Sequence, residues 1–361
     1  MKKLFTFLCV LLLIPFAASG FGYLTLNGEG TLLPGVNARS VAFGGIRSLG
    51  LGDESAVLTN PAGLGRLKGT SVSISVGPGI GSALMLDSLG QHDANWLGLT
   101  TLYGGASLPA GDMTLGAAVA EISNFSYDLT HYTYEFGIEL SGLKEIRKVK
   151  STGGMYELVG GMSYPVLSGL TLGLSAGYRF GSARCDSTYK DVEEPDNDTL
   201  VTREKSFGSF CWHGGLEIPL ETVIFGLSWA SGDDDYPARA AAGASMYAGK
   251  NRDGTFGMEL ELEDPGDGNS TNTRIFGSAF LDDSFELMGC LSFGTVKYDK
   301  VETGPKMGLA LGAGIHLGSA EIDGGFSWTA MSRDSISVSP GQPDELQDSM
   351  AMMSFGFSWK F

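Results

Sequence analysis

The 361-residue sequence predicts an all-β protein: a 14-stranded antiparallel transmembrane β-barrel with an N-terminal plug in its lumen. Three observations carry that reading. The chain starts like an exported protein, yet it contains no later apolar run long enough for a helical span. Most of its length alternates between a greasy face and a small or polar one. Tight turns alternate with longer polar connections, which is the habit of outer-membrane barrels.

The first twenty residues set the compartment. Lys2 and Lys3 precede an apolar run from Leu4 to Phe16, and Ala17, Ala18, Ser19 and Gly20 offer small residues suited to cleavage. That is the pattern of a secretory signal peptide. Cys9 lies inside the apolar run rather than just after it, which argues against a lipoprotein. No later stretch reaches about 18 uninterrupted apolar residues, so no helical span is expected. Residues 1–20 are read as signal peptide, 21–67 as plug and 68–361 as barrel, with the outer membrane as the destination.

Composition agrees with that choice. The chain holds 54 Gly, 20 Phe and 12 Tyr but only 18% charged residues, fewer charges than a soluble acidic protein carries. The net charge of -17 becomes about -19 without Lys2 and Lys3, which excludes a nucleic-acid partner. Three cysteines remain beyond the signal segment, Cys185, Cys211 and Cys290, an odd number that cannot form a full disulfide framework. A Cys185–Cys211 bridge across one hairpin loop is one option, and free thiols in the barrel wall are the favoured one.

The plug is read from Ala38 to Leu67. Gly44-Gly45 and the Gly50-Leu51-Gly52 stretch allow positive φ or close backbone approach. Asp53 is placed to cap a short turn through Val57, and Asn60-Pro61 looks like a second start, with Pro at the first helical position. Turns this short cannot stand alone in water and need support from a larger structure.

Strands follow. Leu172, Leu174, Ala176, Tyr178 and Phe180 alternate with Thr171, Gly173, Ser175, Gly177 and Arg179. Met307 to Leu317, Phe285 to Phe293 and Val223 to Trp229 repeat the pattern. The polar face is mostly Gly, Ser and Ala, which suits lipid outside and a crowded or wet lumen inside. Tight turns at 109–112, 167–169, 219–222, 249–254, 282–283 and 318–319 alternate with longer polar loops near 78–93, 128–153, 185–205, 231–238, 264–271, 299–304 and 333–347. Six turns and seven loops join 14 strands. The stretch 130–140 is read as part of the second long loop rather than a fifteenth strand. The chain closes with Phe357, Trp359 and Phe361 on one face, an expected lipid-facing row and a signal to the outer-membrane insertion machinery, with Trp229 and Trp328 in the opposite aromatic girdle.

Ala-Arg-Ser at 38–40, Phe-Gly-Gly at 43–45, Gly-Asp-Glu-Ser-Ala at 52–56 and Asn-Pro-Ala-Gly-Leu at 60–64 together resemble the N-terminal hatch of the FadL/TodX outer-membrane transport proteins. They are also similar to the matching segment of PorV/PorQ-type proteins. The motif positions are Arg39, Gly44, Gly45, Asp53, Asn60, Pro61, Ala62, Gly63 and Leu64. The resemblance implies 14 strands and passive inward movement of hydrophobic small molecules, long-chain fatty acids or aromatic compounds, by a monomer without a cofactor. It also implies a kink in the third strand that opens a lateral gap towards the membrane.

The third strand carries a fault where such a gap would fall. Met113, Leu115, Ala117 and Val119 form an apolar row, but Glu121 and Ser123 come next on the same face. A bulge after Val119 would turn Glu121 inward and expose Ile122, so Ala120, Glu121, Ile122, Ser123 and Asn124 are the candidate opening. Arg39, Arg47 and Arg66 are enclosed cations in need of acids, and Glu217, Glu286, Glu321 and Asp323 have inward parity.

No catalytic centre is expected. Gly173 to Gly177 matches the G-x-S-x-G pattern around Ser175, but that motif needs a strand-to-helix elbow, and here it lies in mid-strand. His92, His131, His213 and His316 are scattered, without a neighbour at metal-ligand spacing. The acidic loops, Asp191 to Asp198, Asp233 to Asp235, and Asp264 with Asp267, read as solvated faces. The expected function is uptake of hydrophobic compounds, with membrane lipid and a small apolar ligand as partners. The rival is a PorV-like protein that docks or shuttles secreted proteins and transports nothing itself. A lipid-modifying enzyme is disfavoured, because His213 and His316 fall on the inward parity.

Overall fold

A computed structural model describes residues 31–361 except 88–89, 137–140, 168, 192–198, 250–252, 265–269, 299–300 and 336–343. The signal-peptide reading and the start of the plug, 21–30, lie outside the described residues.

Fourteen antiparallel strands form the wall: β1 Ser71–Asp87, β2 Gly90–Ala110, β3 Met113–Asn124, β4 Ser141–Leu167, β5 Leu170–Asp191, β6 Thr199–Pro219 and β7 Val223–Ala230. They continue as β8 Ala238–Ala248, β9 Gly254–Asp264, β10 Ser270–Asp282, β11 Phe285–Tyr298, β12 Val301–Leu317, β13 Ala320–Ser335 and β14 Asp344–Lys360. Each pairs with its sequence neighbour, and β14 pairs back onto β1, from Lys360 opposite Ser71 to Glu345 opposite Leu86, so the sheet closes. Closure leaves no free edge, the condition for a sheet to cross lipid. Two short strands stand outside the ring. Thr31–Leu32 pairs with β3, and Tyr127–Phe136 pairs only with the N-terminal part of β4. The latter explains why the described part of 130–140, up to Phe136, adds no wall strand.

The alternation seen in the sequence is the two faces of the wall. Leu158, Met162, Leu172, Leu174, Phe210, Phe225, Leu227, Leu260 and Leu309 are exposed outward. Phe355, Phe357, Trp359 and Phe361 continue this belt at the closing strand. An aromatic row marks one margin, with Tyr156 stacked near Phe180, Tyr178 against Phe210 and Trp212 against Trp229. Among the described residues no helix is long and apolar enough to cross a membrane.

Most of the expected long loops are shorter than the sequence suggests. The stretch near 78–93 is largely the paired ends of β1 and β2, and 185–205 is largely the ends of β5 and β6. Polar composition there reports water around the strands, not loss of the ladder, because backbone pairing needs no particular side chain. The three cysteines are free, Cys211 and Cys290 buried and Cys185 half-buried.

Candidate functional site

The site begins with the N-terminal segment, residues 31–67, which packs against the inward face of the wall on several sides. Asn37 caps a five-residue helix, α1 (Ala38–Ala42), by accepting from the Ser40 amide at 2.8 Å, while Ser40 Oγ accepts from the Asn37 amide at 2.9 Å. Gly44 and Gly45, at φ 65° and 75°, then turn the chain. Asp53 caps the 3₁₀ turn Glu54–Leu58, and Asn60 caps Pro61–Arg66 by accepting from the Ala62 amide at 3.1 Å, with Pro61 at the first position. Ala62, Gly63 and Leu64 are buried, and Gly63 meets Gly50 so closely that neither has space for a Cβ.

The wall is small where this segment touches it. A Cβ on Gly173 or Gly215 would enter the Asn60-Pro61-Ala62 turn, and one on Gly312 or Gly325 would enter α1. The Gly-rich inward face is therefore a seat.

Charge fixes the same segment. Arg39 donates to Glu286 at 2.8 Å and to Glu321 at 3.0 Å, and lies 3.6 Å from Asp323. Burial alone would lower its pKa, but the Glu286, Asp323 and Glu321 carboxylates more than reverse this and hold it above the ordinary arginine value. Arg66 reaches Glu217 at 2.8 Å, and Glu217 also accepts from the Gly50 amide at 2.7 Å. Arg47 finds an acid that the sequence reading did not single out, Glu261, at 3.0 Å. Glu261 and Glu259 are shared with Arg274, each at 2.7 Å, and Glu259 also accepts from the amides of Arg47 and Ser48. The signal was present, since Glu259, Glu261 and Glu263 alternate with Met258, Leu260 and Leu262 in β9. Glu54, on the segment itself, has its carboxyl pushed up by burial and by the neighbouring Asp53 charge.

Between the segment and β8 to β14 lies a cavity of about 150 Å³. Leu32, Leu33, Leu309, Ala310, Met331 and Met350 supply apolar wall, and Arg47, Arg239, Arg274 and Lys306 supply cations. Arg239 pairs with Glu263 at 3.3 Å, while Lys306 makes no ion pair with a described residue. Among the described residues, four cations stand against Glu259, Glu261 and Glu263, one more than the acids.

The fault in β3 is a real interruption. Pairing of β2 with β3 ends at Tyr103 opposite Ala120, so Glu121 to Asn124 have no partner on β2. On the other side the β3–β4 register slips between Glu121 and Ser123, a bulge at Ile122. The bulge falls one step later than the expected position after Val119, since Glu121 still pairs in register with Tyr156; Glu121 is nonetheless buried, accepting from Asn124 at 2.8 Å. Ile122 does not become exposed. It is also buried, in an apolar cluster with Phe125, Met155, Phe207 and Tyr236, because the chain folds into the lumen after the bulge. The vacated edge is taken by Thr31–Leu32, paired with Asn124 and Ser123, and by Leu33, whose amide donates to the Ile122 carbonyl at 3.1 Å.

Strand closure, the inward β3 bulge and a capped N-terminal segment seated on the lumen wall together define an architecture that comparison with solved structures identifies. A Pseudomonas aeruginosa FadL homologue superposes with a TM-score of 0.68 at 13% identity, covering 92% of this chain and 100% of that one. The fold is that of the FadL-type transport barrels. The toluene transporter TodX of Pseudomonas putida matches the FadL-type fold of this chain with a TM-score of 0.65 at 14% identity, covering 91% and 99%. The toluene transporter TbuX of Ralstonia pickettii gives 0.61 at 12% identity with the same coverages. No family model matches the sequence, and no curated protein matches it.

Within this FadL-type barrel the remaining candidates fall into place. Ser175 faces the lumen and donates to the Val57 carbonyl at 2.8 Å. Asp233 leaves its loop to meet Arg179 at 2.9 Å. Burial pushes the Asp233 carboxyl up, but hydrogen bonds from Ser209 and Arg179 outweigh this and hold it below the ordinary aspartate value. The acidic run 192–198 lies outside the described residues. Two groups that sequence spacing did not bring together do converge in space: Glu157, Cys211 and His213, and Glu286, His316 and Glu321. Cys211 and His213 are two residues apart on β6 and share its inward face, a spacing the sequence reading passed over, but Glu157 on β4 and the three members of the second group come from different strands.

Proposed function

We propose that the protein is an outer-membrane channel for passive uptake of hydrophobic small molecules, with residues 31–67 as its lumen plug and the β3 interruption as its lateral exit. One observation carries the reading. Thr31, Leu32, Leu33 and Pro34 line the cavity, and the first three also occupy the β3 edge that β2 leaves unpaired. Movement of this short stretch would open the cavity towards the gap at the expense of the Leu33 packing on Val41, Met350 and Met352, leaving the arginine–acid pairs of the plug in place. FadL-type neighbours described as toluene transporters support an apolar cargo. The surplus cation in the cavity favours an anionic amphiphile, a long-chain fatty acid, over a neutral aromatic hydrocarbon. No catalytic step is assigned, since the hydroxyl of Ser175 is engaged by the plug. A monomer suffices, because cavity and gap lie within one chain. The PorV-like reading draws on the tall sheet of β4 to β6, 27, 22 and 21 residues long, as a docking surface.

The test is uptake by cells that lack their own channel for these compounds. The unsubstituted protein should take up labelled fatty acid and toluene, and Lys306→Met should slow fatty acid about tenfold, the worth of one charge-assisted hydrogen bond of roughly 1.5 kcal/mol, while sparing toluene. Uptake no faster than in cells without the protein would discard transport in favour of docking. Equal slowing of both compounds would discard the fatty-acid preference.

A further inference from the structure

The buried inward face of β4 to β6 holds a donor set that transport does not use. Glu157, Cys211 and His213 each expose 2% or less of their surface, and one ligand atom from each lies within 4.8 Å of the other two. Register explains the meeting. Glu157 stands opposite Arg179, Cys211 opposite Gly177 and His213 opposite Ser175, so the central strand puts only glycine and serine beneath Cys211 and His213, while Arg179 holds the far side of Glu157. Tetrahedral ligand atoms around a zinc-sized ion stand about 3.3–3.8 Å apart for bonds of about 2.0–2.3 Å, which small rotamer adjustments would reach from here.

The protein alone leaves this group half satisfied. His213 has one ring nitrogen against Glu157, and its Nδ1 is buried without a hydrogen-bond partner. A buried polar group in that state costs about 1–3 kcal/mol. By contrast, the outer side of Glu157 is well ordered. Its Oε2 accepts from Arg179 Nε at 3.0 Å, and Arg179 is balanced by Asp233 at 2.9 Å and lies over the Tyr236 ring. This is the kind of outer shell that orients a ligating carboxylate.

We propose that Glu157, Cys211 and His213 form a binding site for a borderline divalent cation, Zn²⁺ foremost. A thiolate, an imidazole and a carboxylate suit zinc, whereas Ca²⁺ and Mg²⁺ need oxygen donors throughout. The charges close: the carboxylate and the thiolate formed when Cys211 gives its proton to solvent balance the dication, and Arg179 remains paired with Asp233. Three protein ligands leave a fourth position for water. Cys211 shares its apolar cluster with Val57 and Leu58 of the N-terminal segment, so the ion would fasten the wall beside that segment.

The experiment uses full-length protein refolded into detergent micelles with Co²⁺ or Zn²⁺, then freed of excess metal. The expected result is one equivalent of metal and, with Co²⁺, a thiolate-to-metal charge-transfer band. Cys211→Ser and His213→Gln should lose that band, while Cys290→Ser and Cys185→Ser keep it, with folding of each variant read from heat-modifiable migration. On the unsubstituted protein, at a urea concentration where the metal-free Cys211 is alkylated, bound metal should protect it, with half-buried Cys185 as reference. Absence of the band, its survival in Cys211→Ser, or unaltered alkylation of Cys211 would each overturn the site.

Discussion

The two ends of the N-terminal segment are held in different ways. From Asn37 to Arg66 it is anchored by capped turns, by three arginines on buried wall acids and by backbone pressed onto wall glycines. From Thr31 to Leu33 the anchors include a two-residue ladder with β3, one amide from Leu33, the Ser123 hydroxyl on the Thr31 carbonyl at 3.2 Å, and apolar packing of Leu33 on Val41, Met350 and Met352, with no buried charge among them. The first set is expensive to break, since removing one partner of a buried pair strands the other charge. The second is an edge-strand contact plus one buried leucine, about 1.5–3 kcal/mol of apolar burial, and opens without stranding a charge. A channel needs both: a seat that keeps the lumen filled, and a short latch beside the cavity that can move.

That contrast can be broken or sharpened in three places, from the largest effect to the smallest. Gly325→Leu puts a side chain where α1 lies, and overpacking against backbone should prevent seating altogether. Loss of heat-modifiable barrel is the expected outcome, and normal assembly would show that α1 is not a required anchor. Glu286→Ala leaves Arg39 short of its nearest carboxylate and should cost about 3–5 kcal/mol, somewhat less because Glu321 remains. A fall in the urea midpoint for unfolding measures it, and an unchanged midpoint would dissolve the distinction between anchor and latch. At the latch, Thr31→Cys with Asn124→Cys places two thiols at paired positions. Oxidation should change the unfolding midpoint little yet reduce uptake at least tenfold, with recovery on reduction. Full uptake by the oxidised protein would remove Thr31–Leu33 from the exit route.

Much of this was legible beforehand, and for physical reasons. Lipid on one side and a filled lumen on the other impose a period of two on every wall strand, so Leu172 to Phe180 and Met307 to Ile315 showed their faces directly. Caps act within four residues, so Asp53 and Asn60-Pro61 also announced their turns. The same local rule marked Glu121 as misplaced on a lipid face, and it is buried beside a bulge that begins just after it rather than after Val119.

What depended on long-range pairing was not legible. Inward parity gave Glu217, Glu286, Glu321 and Asp323 a direction but no partner, since their arginines lie 151 to 282 residues away along the chain wherever a hydrogen bond joins them. Ile122 was expected outward, but its place depends on where the chain goes after the bulge, and Thr31–Leu33 lies beside it only because the barrel has closed. Cys211 and His213 share one face of β6 by local spacing, but Glu157 meets them across β5 only because the register sets it there. Sequence alone thus determined which face of most strands meets lipid, the poorly alternating stretch from Trp96 to Leu108 excepted, because solvent acts on every residue separately. Tertiary structure decided which charges, glycines and metal-ligating groups meet inside, because closure of the wall sets those neighbours.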